Sequence, residues 1–509
     1  MNTLENPILQ RLMRTSVNTV DLDHLGCKLS ERMGGVERGG PGVSITGLVG
    51  DSRLVTPGDL FVATPGVHHD GLAFVEEALA RGAAGVVAHS RETLADDVPF
   101  LGVPDVRTAK ALLACEFYGN PSKRLQVVGI TGTNGKTTTA HMLRSILTMD
   151  GQMPGVIGTL GAWVGREYLP LANTTPDAIE LQRLMAQMVD ENQTTCVMEV
   201  SSHALAQMRV VGIDFDVGVF TNLTNDHLDF HRTMEEYATV KGGLFESLSP
   251  DAIAVLNAAD PMSERYRRLT EATPMTYAVE QDADVRGDIT RLDADGTVVR
   301  LRQAKTGLSL GISLRLVGQH NVQNALAAAA AALALGLPPS AVGTGLSSLQ
   351  AVPGRLESVD CGQDYRVLVD YAHTPDALAA VLTLLRPLTR GRLHVVFGCG
   401  GDRDRTKRPL MGGAVAECAD ELYVTSDNPR SEDPELILDE VLAGVPEDVL
   451  GRTHRIVDRR EAIGAACDAA RGGDIVLIAG KGHETTQILG DDVVPFDDRE
   501  VAREVLWKL

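Results

Sequence analysis

The chain has 509 residues, is 44% hydrophobic and 23% charged, and carries a formal net charge of −21, which is ordinary globular composition for about two to four domains. The acidic balance lacks the basic footprint that a nucleic-acid backbone requires, and no apolar run reaches the length of a membrane span, so neither nucleic-acid binding nor membrane insertion is expected. The N-terminal stretch lacks the apolar core and small-residue site of an export signal, and the seven cysteines include no CxxC pair. The chain is therefore expected in the cytoplasm, with small molecules as partners.

Residues 45–90 alternate short β-rich runs (SITGLV, DLFVATP, AGVVAH) with a helical stretch at LAFVEEALARG, which predicts a small α/β domain. The loop cluster YGNPSKR then marks a boundary near residue 123. Beyond it, strands are predicted at QVVGIT, TCVMEV, DVGVFTN and AIAVLNA, interleaved with helices, as in a parallel sheet with crossovers. A second break falls at SSLQAVPGR. After it RVLVDY, LHVVFG and ELYVTS are each followed by a helix, and DIVLIAG closes the set. The expectation is an α/β protein of three domains: a small N-terminal α/β domain (1–123), a central parallel-sheet domain like a P-loop ATPase (124–352), and a Rossmann-like C-terminal domain (353–509). Ligands of such sheets sit outside the carboxyl ends of the strands, here the polar segments DYAHTPD, GCGGDRDRTKR, SDNPRSED and AGKGHE.

The clearest chemistry lies between the first central strand and its helix, in GITGTNGKTTT. It departs from GxxxxGK[ST], because Ile130 stands where the first Gly belongs, but Gly132 and Gly135 still let backbone amides curl around phosphate oxygens. Lys136 supplies a point charge for the β- and γ-phosphates and Thr137 a hydroxyl for Mg²⁺. A glycine-rich turn would explain the glycines but not the Lys-Thr-Thr-Thr run. Glu199 ends a strand of the same sheet, where a carboxylate can hold Mg²⁺. TNLTNDHLDFH packs Asn222, Asn225, Asp226, His227, Asp229 and His231 behind the next strand. Lys241 reads from pattern alone as a solvated lysine on an amphipathic helix, since an ammonium cannot ligate Mg²⁺. Gly318, His320, Asn321 and Asn324 open the alanine-rich helix, where amides cap the helix or read an adenine edge.

In this order and at these spacings, GTNGKTT, MEVSSHAL, NDHLDFH, GQHNVQNALAA, PGRLE and DYAHTPDAL resemble the Mur ligases, ADP-forming ligases that join amino acids to the bacterial cell-wall precursor. The resemblance covers nearly the whole chain. GDSRLVTPGDLFVATPG and DNPRSEDP are similar to the branch that adds diaminopimelate as the third peptide residue. The resemblance implies that Gly132, Thr133, Asn134, Gly135, Lys136, Thr137 and Thr138 hold the ATP phosphates, with Asn324, Arg355 and Asp370 around the nucleotide. It implies Mg²⁺ at Thr137, Glu199, His227 and Lys241, the last as a carbamylated (N6-carboxy) lysine. Asn173, Thr174, Thr175, Ser201, Gln207 and Arg209 match positions for the UDP-linked muramoyl dipeptide, and Ser52, Val67, His68 and His69 match its uridine end. Arg403, Asp427, Asn428, Pro429, Arg430, Gly480 and Glu484 match the amino-acid pocket. One departure is VLNAADP, where the family usually has two acidic residues.

The chemistry so implied transfers the ATP γ-phosphate to the D-glutamate γ-carboxylate, and the amine of the added amino acid then displaces phosphate. Lys136, Glu199, His227 and Lys241 are the expected catalytic groups, on a monomer. The meso isomer of diaminopimelate is the expected substrate; lysine, ornithine and LL-diaminopimelate are alternatives. Folylpolyglutamate synthesis uses similar chemistry but gives no reason for the first domain or for DNPR. A motion-driving P-loop ATPase lacks support, since neither NKxD nor a strict Walker pattern is present.

Overall fold

The computed structural model describes residues 19–66, 70–92, 94–226, 228–293 and 296–508, the side chains of Leu228 and Asp229 excepted. They pack into two compact units, one holding the chain through Asp288 with Arg300–Ile312 and Val322–Leu346, the other Ile289–Val299, Ser313–Asn321 and the chain from Ser347. The break between the predicted first and central domains at residue 123 thus falls inside the first unit.

The N-terminal sheet has the strand order Glu37–Gly39, Phe100–Gly102, Gly85–Ala88, Asp59–Val62, Gly47–Val49. Its last four strands run parallel and Glu37–Gly39 is antiparallel. The expected strands and helix are present, the helix as a 3₁₀ turn Gly71–Phe74 continued by Val75–Ala80.

In the central sheet the order is Glu167–Leu169, Gly161–Val164, Gly155–Gly158, Thr195–Glu199, Gln126–Thr131, Val217–Phe220, Ile253–Asn257, Thr273–Val279, Val285–Asp293, Gly296–Gln303, Leu308–Leu314. The inner strands are almost entirely apolar and buried on both faces, as a parallel sheet covered by helices demands. Strand Gln126–Thr131 comes first in sequence and lies between Thr195–Glu199 and Val217–Phe220, so strand order reverses around it. Loops leaving the carboxyl ends of those strands therefore face one crevice. The antiparallel hairpin Gly155–Val164 and the strands after residue 270 were not among the predicted elements.

The C-terminal sheet runs Glu357–Val359, Arg366–Asp370, Ile475–Ala479, Leu393–Phe397, Glu421–Val424, Thr453–Arg455. All its strands are parallel except the edge strand Glu357–Val359. Because Asp370 pairs with Ala479, Val396 with Ile478 and Phe397 with Val424, the four polar segments singled out above leave from the same edge. No helix among the described residues is long and apolar enough to cross a membrane.

Candidate active site

The phosphate-type loop begins where Thr131 ends its strand and closes as helix Lys136–Met149 starts. Gly132 (φ +147°) and Gly135 (φ +86°) adopt backbone conformations that a side chain disfavours. A Cβ at Gly135 would lie 2.2 Å from Asn324 Oδ1, and one at Gly132 would lie 1.9 Å from Thr221 Oγ1. No side chain caps the helix at Gly135. The loop rests on the segment after the next strand. Thr133 N donates to Asn222 O at 2.8 Å, Asn134 N to Asn222 Oδ1 at 3.0 Å, and Thr221 Oγ1 to Asn134 O at 2.6 Å. Asp260, from VLNAADP, in turn accepts from Leu223 N at 2.7 Å and from Met262 N at 2.9 Å, so this segment is tied down from both sides. Lys136 Nζ folds back onto the carbonyls of Gly132 and Thr133, both at 2.8 Å. Thr138, in the helix's first turn, is buried.

Parallel register puts Glu199 beside Ile130, and that is why a carboxylate at the end of this strand faces the loop. Its side chain, 2% exposed, accepts from Thr137 Oγ1 at 2.9 Å, Thr159 N at 2.9 Å and Thr159 Oγ1 at 3.2 Å. Its main-chain carbonyl accepts from Thr175 Oγ1 at 2.8 Å. Around Thr175 gather Ser201, whose N donates to Thr175 Oγ1 at 3.1 Å, and Arg209, whose Nη1 donates to Thr175 O at 2.6 Å and whose Nη2 donates to Gln207 Oε1 at 2.7 Å. Thr174 Oγ1 lies 3.0 Å from Thr159 Oγ1, and Asn173 precedes it, exposed. Five of the six residues matched to the dipeptide thus form one cluster against Glu199. Ser52 stands apart, in the 3₁₀ turn Ser52–Leu54, its hydroxyl donating to Glu77 of helix Val75–Ala80 at 2.7 Å. Val67, His68, His69 and His227 lie outside the described residues.

Lys241 corrects the reading from pattern. It is 1% exposed rather than solvated, because Tyr237, Leu244 and Phe245 on the same helix face are buried with it. Its Nζ donates to Gly132 O at 2.8 Å and lies 4.6 Å from the Tyr237 ring centroid. Burial above all, with Lys136 adding to it, drives its pKa well below the ordinary lysine value. A neutral amine is the form that reacts with carbon dioxide, so the environment fits carbamylation.

In the second unit Asp370 ends its strand, accepting from Leu356 N and Ala372 N, both at 2.8 Å. Burial raises its pKa, against the pull of Arg355, and the Arg355 guanidinium lies 4.9 Å from the Tyr371 ring centroid. Asn428 Nδ2 donates to Glu484 Oε2 at 2.9 Å. Fully buried Lys481, which sequence reasoning missed although AGKGHE contains it, donates to Asn428 Oδ1 and Glu484 Oε2, both at 3.1 Å. Asp427 faces Gly480, where a Cβ would lie 2.8 Å from its Oδ2. Arg430, after Pro429, has φ +53° and donates from Nη1 to Gly401 O at 2.6 Å, on the loop after the neighbouring strand. Arg403 Nη1 donates to the adjacent Asp402 carbonyl at 3.0 Å on an exposed loop. Arg459 was also missed: wholly buried, it pairs with Asp498 at 2.8 and 2.7 Å and donates to Ala479 O at 3.0 Å, at the root of the Gly480 loop. Among the described residues no group of three or more His, Cys, Asp or Glu could by itself hold a metal.

The sequence matches the Mur ligase middle domain over residues 130–332, the Mur ligase glutamate ligase domain over 354–482 and the Mur ligase family catalytic domain over 44–118. It is 48% identical over 474 residues to UDP-N-acetylmuramoyl-L-alanyl-D-glutamate--2,6-diaminopimelate ligase of Geobacillus thermodenitrificans, covering 92% of this chain and 96% of that protein. To the enzyme of the same name from Geobacillus kaustophilus it is 49% identical over 465 residues, covering 90% and 94%. A solved structure of a ligase with this name is 35% identical, covers 91% of this chain and 95% of its own, and superposes with a TM-score of 0.66.

Proposed function

The chain belongs to the Mur ligase family, and from that premise we propose that it adds diaminopimelate, as the meso isomer, to the D-glutamate γ-carboxylate of UDP-N-acetylmuramoyl-L-alanyl-D-glutamate. ATP is the phosphoryl donor and ADP and phosphate are the products. The step belongs to cytoplasmic synthesis of peptidoglycan precursor, and the enzyme acts as a monomer. A single relationship carries the reading. Glu199 accepts from the phosphate-loop hydroxyl of Thr137 through its carboxylate and from Thr175 of the dipeptide cluster through its carbonyl. One residue thereby joins the place of the phosphoryl donor to the place of the acceptor carboxylate.

A carboxylate does not react with an amine at neutral pH. Its oxygen first attacks the γ-phosphorus, an O–P bond forming as the bond to the β–γ bridging oxygen breaks and ADP departs. The loop from Gly132 to Thr138 holds the phosphates, Lys136 offsets their charge, and Asn324 lies beside the loop at Gly135, so this step rests on positioning and electrostatics. Arg209, Gln207, Ser201 and the Asn173–Thr175 run orient the dipeptide. The amine then attacks the acyl carbon; the tetrahedral intermediate collapses with loss of phosphate, and the amine proton leaves to solvent.

Thr137 and Glu199 provide a hydroxyl and a buried carboxylate with no cationic side chain at ion-pair distance among the described residues, a donor set suited to Mg²⁺ once phosphate oxygens and a carbamate on Lys241 complete it. His227 is the matched ligand for a further Mg²⁺. When bound, the ions neutralise the anionic oxygens that meet during phosphoryl transfer. On the second unit, Arg355 and Asp370 serve the nucleotide. Arg403, Asp427, Asn428, Arg430, Gly480 and Glu484 hold the amino acid, with Arg430 on the carboxylate that distinguishes diaminopimelate from lysine. ADP formation should require the UDP-linked dipeptide and an amino acid together, and should be fastest with meso-diaminopimelate among that compound, its LL isomer, lysine and ornithine. ADP release without either substrate would refute the assignment.

A further inference from the structure

The amino-acid loops are held by a network that begins at Arg408. This residue lies in the first turn of helix Lys407–Cys418, and its side chain is fully buried. Its guanidinium grips Glu432 through two bonds, Nη2 to Oε1 at 2.8 Å and Nη1 to Oε2 at 3.0 Å, while Nη1 also reaches Glu440 at 2.7 Å and Nη2 reaches Gly400 O at 3.3 Å. Glu432 Oε1 accepts in addition from Asp402 N at 2.6 Å. The hydrogen bonds to Arg408 hold the Glu432 carboxyl down to about 2, so it stays anionic at any working pH.

The network runs from there to Arg430 by two routes. Asp402 accepts from Ser431 Oγ at 2.7 Å and from Ser431 N at 3.2 Å, and Glu432 N donates to Pro429 O at 3.1 Å, closing the turn that contains Arg430. On the other side Arg430 N donates to Ile488 O at 3.1 Å, and Gly490 N donates to Arg430 O at 2.9 Å. Both Asp402 and Arg430 have φ near +53°, a strained conformation that a non-glycine residue keeps only where its surroundings hold it there. Gly401 admits no side chain, since a Cβ there would lie 1.8 Å from Pro429 O. Two loops from neighbouring strands are thus pressed together, with Arg430 clamped at their junction and Arg408 buried behind it.

We propose that Arg408 and Glu432 are positioning residues for the amino-acid site: they hold the 429–432 turn against the 400–402 loop, fix the left-handed backbone at Arg430, and so set the preference for an amino acid with a distal carboxylate. The proposal rests on the reading that Arg430 binds that carboxylate. Neither Arg408 nor Glu432 touches substrate in this account. A buried ion pair by itself adds little net stability compared with apolar replacements, whereas a fork of two parallel bonds fixes direction. Misplacing a binding group by about 1 Å costs up to roughly a hundredfold in rate.

A double-mutant cycle on the full chain tests this, with Glu432→Gln, Arg430→Ala and the double variant, reading kcat, the KM of each substrate, the diaminopimelate-over-lysine ratio of kcat/KM, and Tm. Glu432→Gln should raise the KM for diaminopimelate by about tenfold or more while the KM values for ATP and dipeptide stay within about twofold, and the selectivity ratio should fall. In the Arg430→Ala background the same change should alter selectivity by less than about twofold, because two residues acting through one contact are not additive. Should Glu432→Gln fold poorly, Arg408→Lys, which keeps the charge and loses the fork, replaces it in the cycle with the same expectations. An unchanged diaminopimelate KM, a parallel rise of all three KM values, or an undiminished effect without Arg430 overturns the proposal. If Arg430→Ala itself leaves the preference intact, the reading beneath falls with it; if Arg430→Ala abolishes the preference and Glu432→Gln does nothing, only the positioning role falls.

Discussion

Lys136 and Lys241 converge on one oxygen, each donating from Nζ to the carbonyl of Gly132 at 2.8 Å. Two ammonium groups so placed repel one another, and of the two Lys241 is the more deeply buried. Its amine is therefore the one whose pKa is driven well below the ordinary lysine value, which favours the neutral, nucleophilic form. Lys241→Ala should lose most ligase activity, and added short-chain carboxylates or bicarbonate should restore part of it by replacing the carbamate. Full activity of the alanine variant in carbonate-free buffer would sink this role.

The same burial makes a pH prediction. The folded-state pKa of Lys241 lies below its unfolded value of 10.5, so between the two the unfolded chain binds more protons. The resulting destabilisation is complete below the folded pKa, shrinks as pH rises, and vanishes above the unfolded pKa. In carbonate-free buffer the Tm of Lys241→Met relative to wild type should then fall as pH rises from about 7 to about 10. A pH-independent difference would show that the lysine folds with its proton.

Glu199→Ala and His227→Ala should each raise the Mg²⁺ concentration needed for half-maximal turnover, since each removes a matched ligand from a different strand end. Glu199→Ala also frees the Thr137 and Thr159 hydroxyls. Unchanged Mg²⁺ titrations in both variants would exclude a metal role for these residues.

The strand-loop-helix at Thr131–Lys136 could be read from the sequence, because glycine, lysine and threonine at fixed spacing behind an apolar run admit few arrangements. The apolar strands that carry the functional loops were legible from their own composition. The Gly155–Val164 hairpin was not, being short and glycine-rich, nor were the strands after residue 270, whose Thr, Arg and Asp content hides their alternation. Lys241 could have been placed correctly: Tyr237, Lys241, Leu244 and Phe245 stand at i, i+4, i+7 and i+8, one buried helix face. Arg408 and Arg459 carry no such local sign, since their partners Glu432 and Asp498 lie 24 and 39 residues away.

Gly135→Ala should weaken ATP binding more than it weakens folding. The added Cβ meets Asn324 Oδ1, and the backbone must leave φ +86° or bear strain. An apparent ATP KM raised by about tenfold or more is expected, as the cradle of amides reshapes; an ATP KM within twofold of wild type would contradict the role given to this glycine.

Arg459→Ala should act on stability first. It leaves Asp498 buried without its partner, which typically costs about 3 to 5 kcal/mol. Paired apolar replacement, Arg459→Met with Asp498→Leu, should recover much of that loss in a denaturant titration. Equal loss from the double variant would show that the bond to Ala479 O, rather than the ion pair, is what matters.

The sharpest prediction concerns the amino acid. Diaminopimelate differs from lysine by one carboxylate at its far end, so a selective pocket needs a cation fixed there, and a guanidinium provides two parallel donors. Arg430 is the candidate: its turn is clamped on both sides, and among the described residues the hydrogen bond of its terminal nitrogens runs from Nη1 to Gly401 O. Asn428, two residues before it, is joined to Glu484 and Lys481 in a polar network of both charge signs. Loss of a charged bidentate contact typically costs about 2 to 5 kcal/mol, so Arg430→Ala should lower kcat/KM for diaminopimelate by roughly 30-fold to 1,000-fold or more. The KM values for ATP and for the UDP-linked dipeptide should scarcely move, and use of lysine should change far less, because lysine offers Arg430 no carboxylate. If the wild-type enzyme takes lysine as readily as diaminopimelate, or if Arg430→Ala keeps the preference, the discriminating cation lies elsewhere.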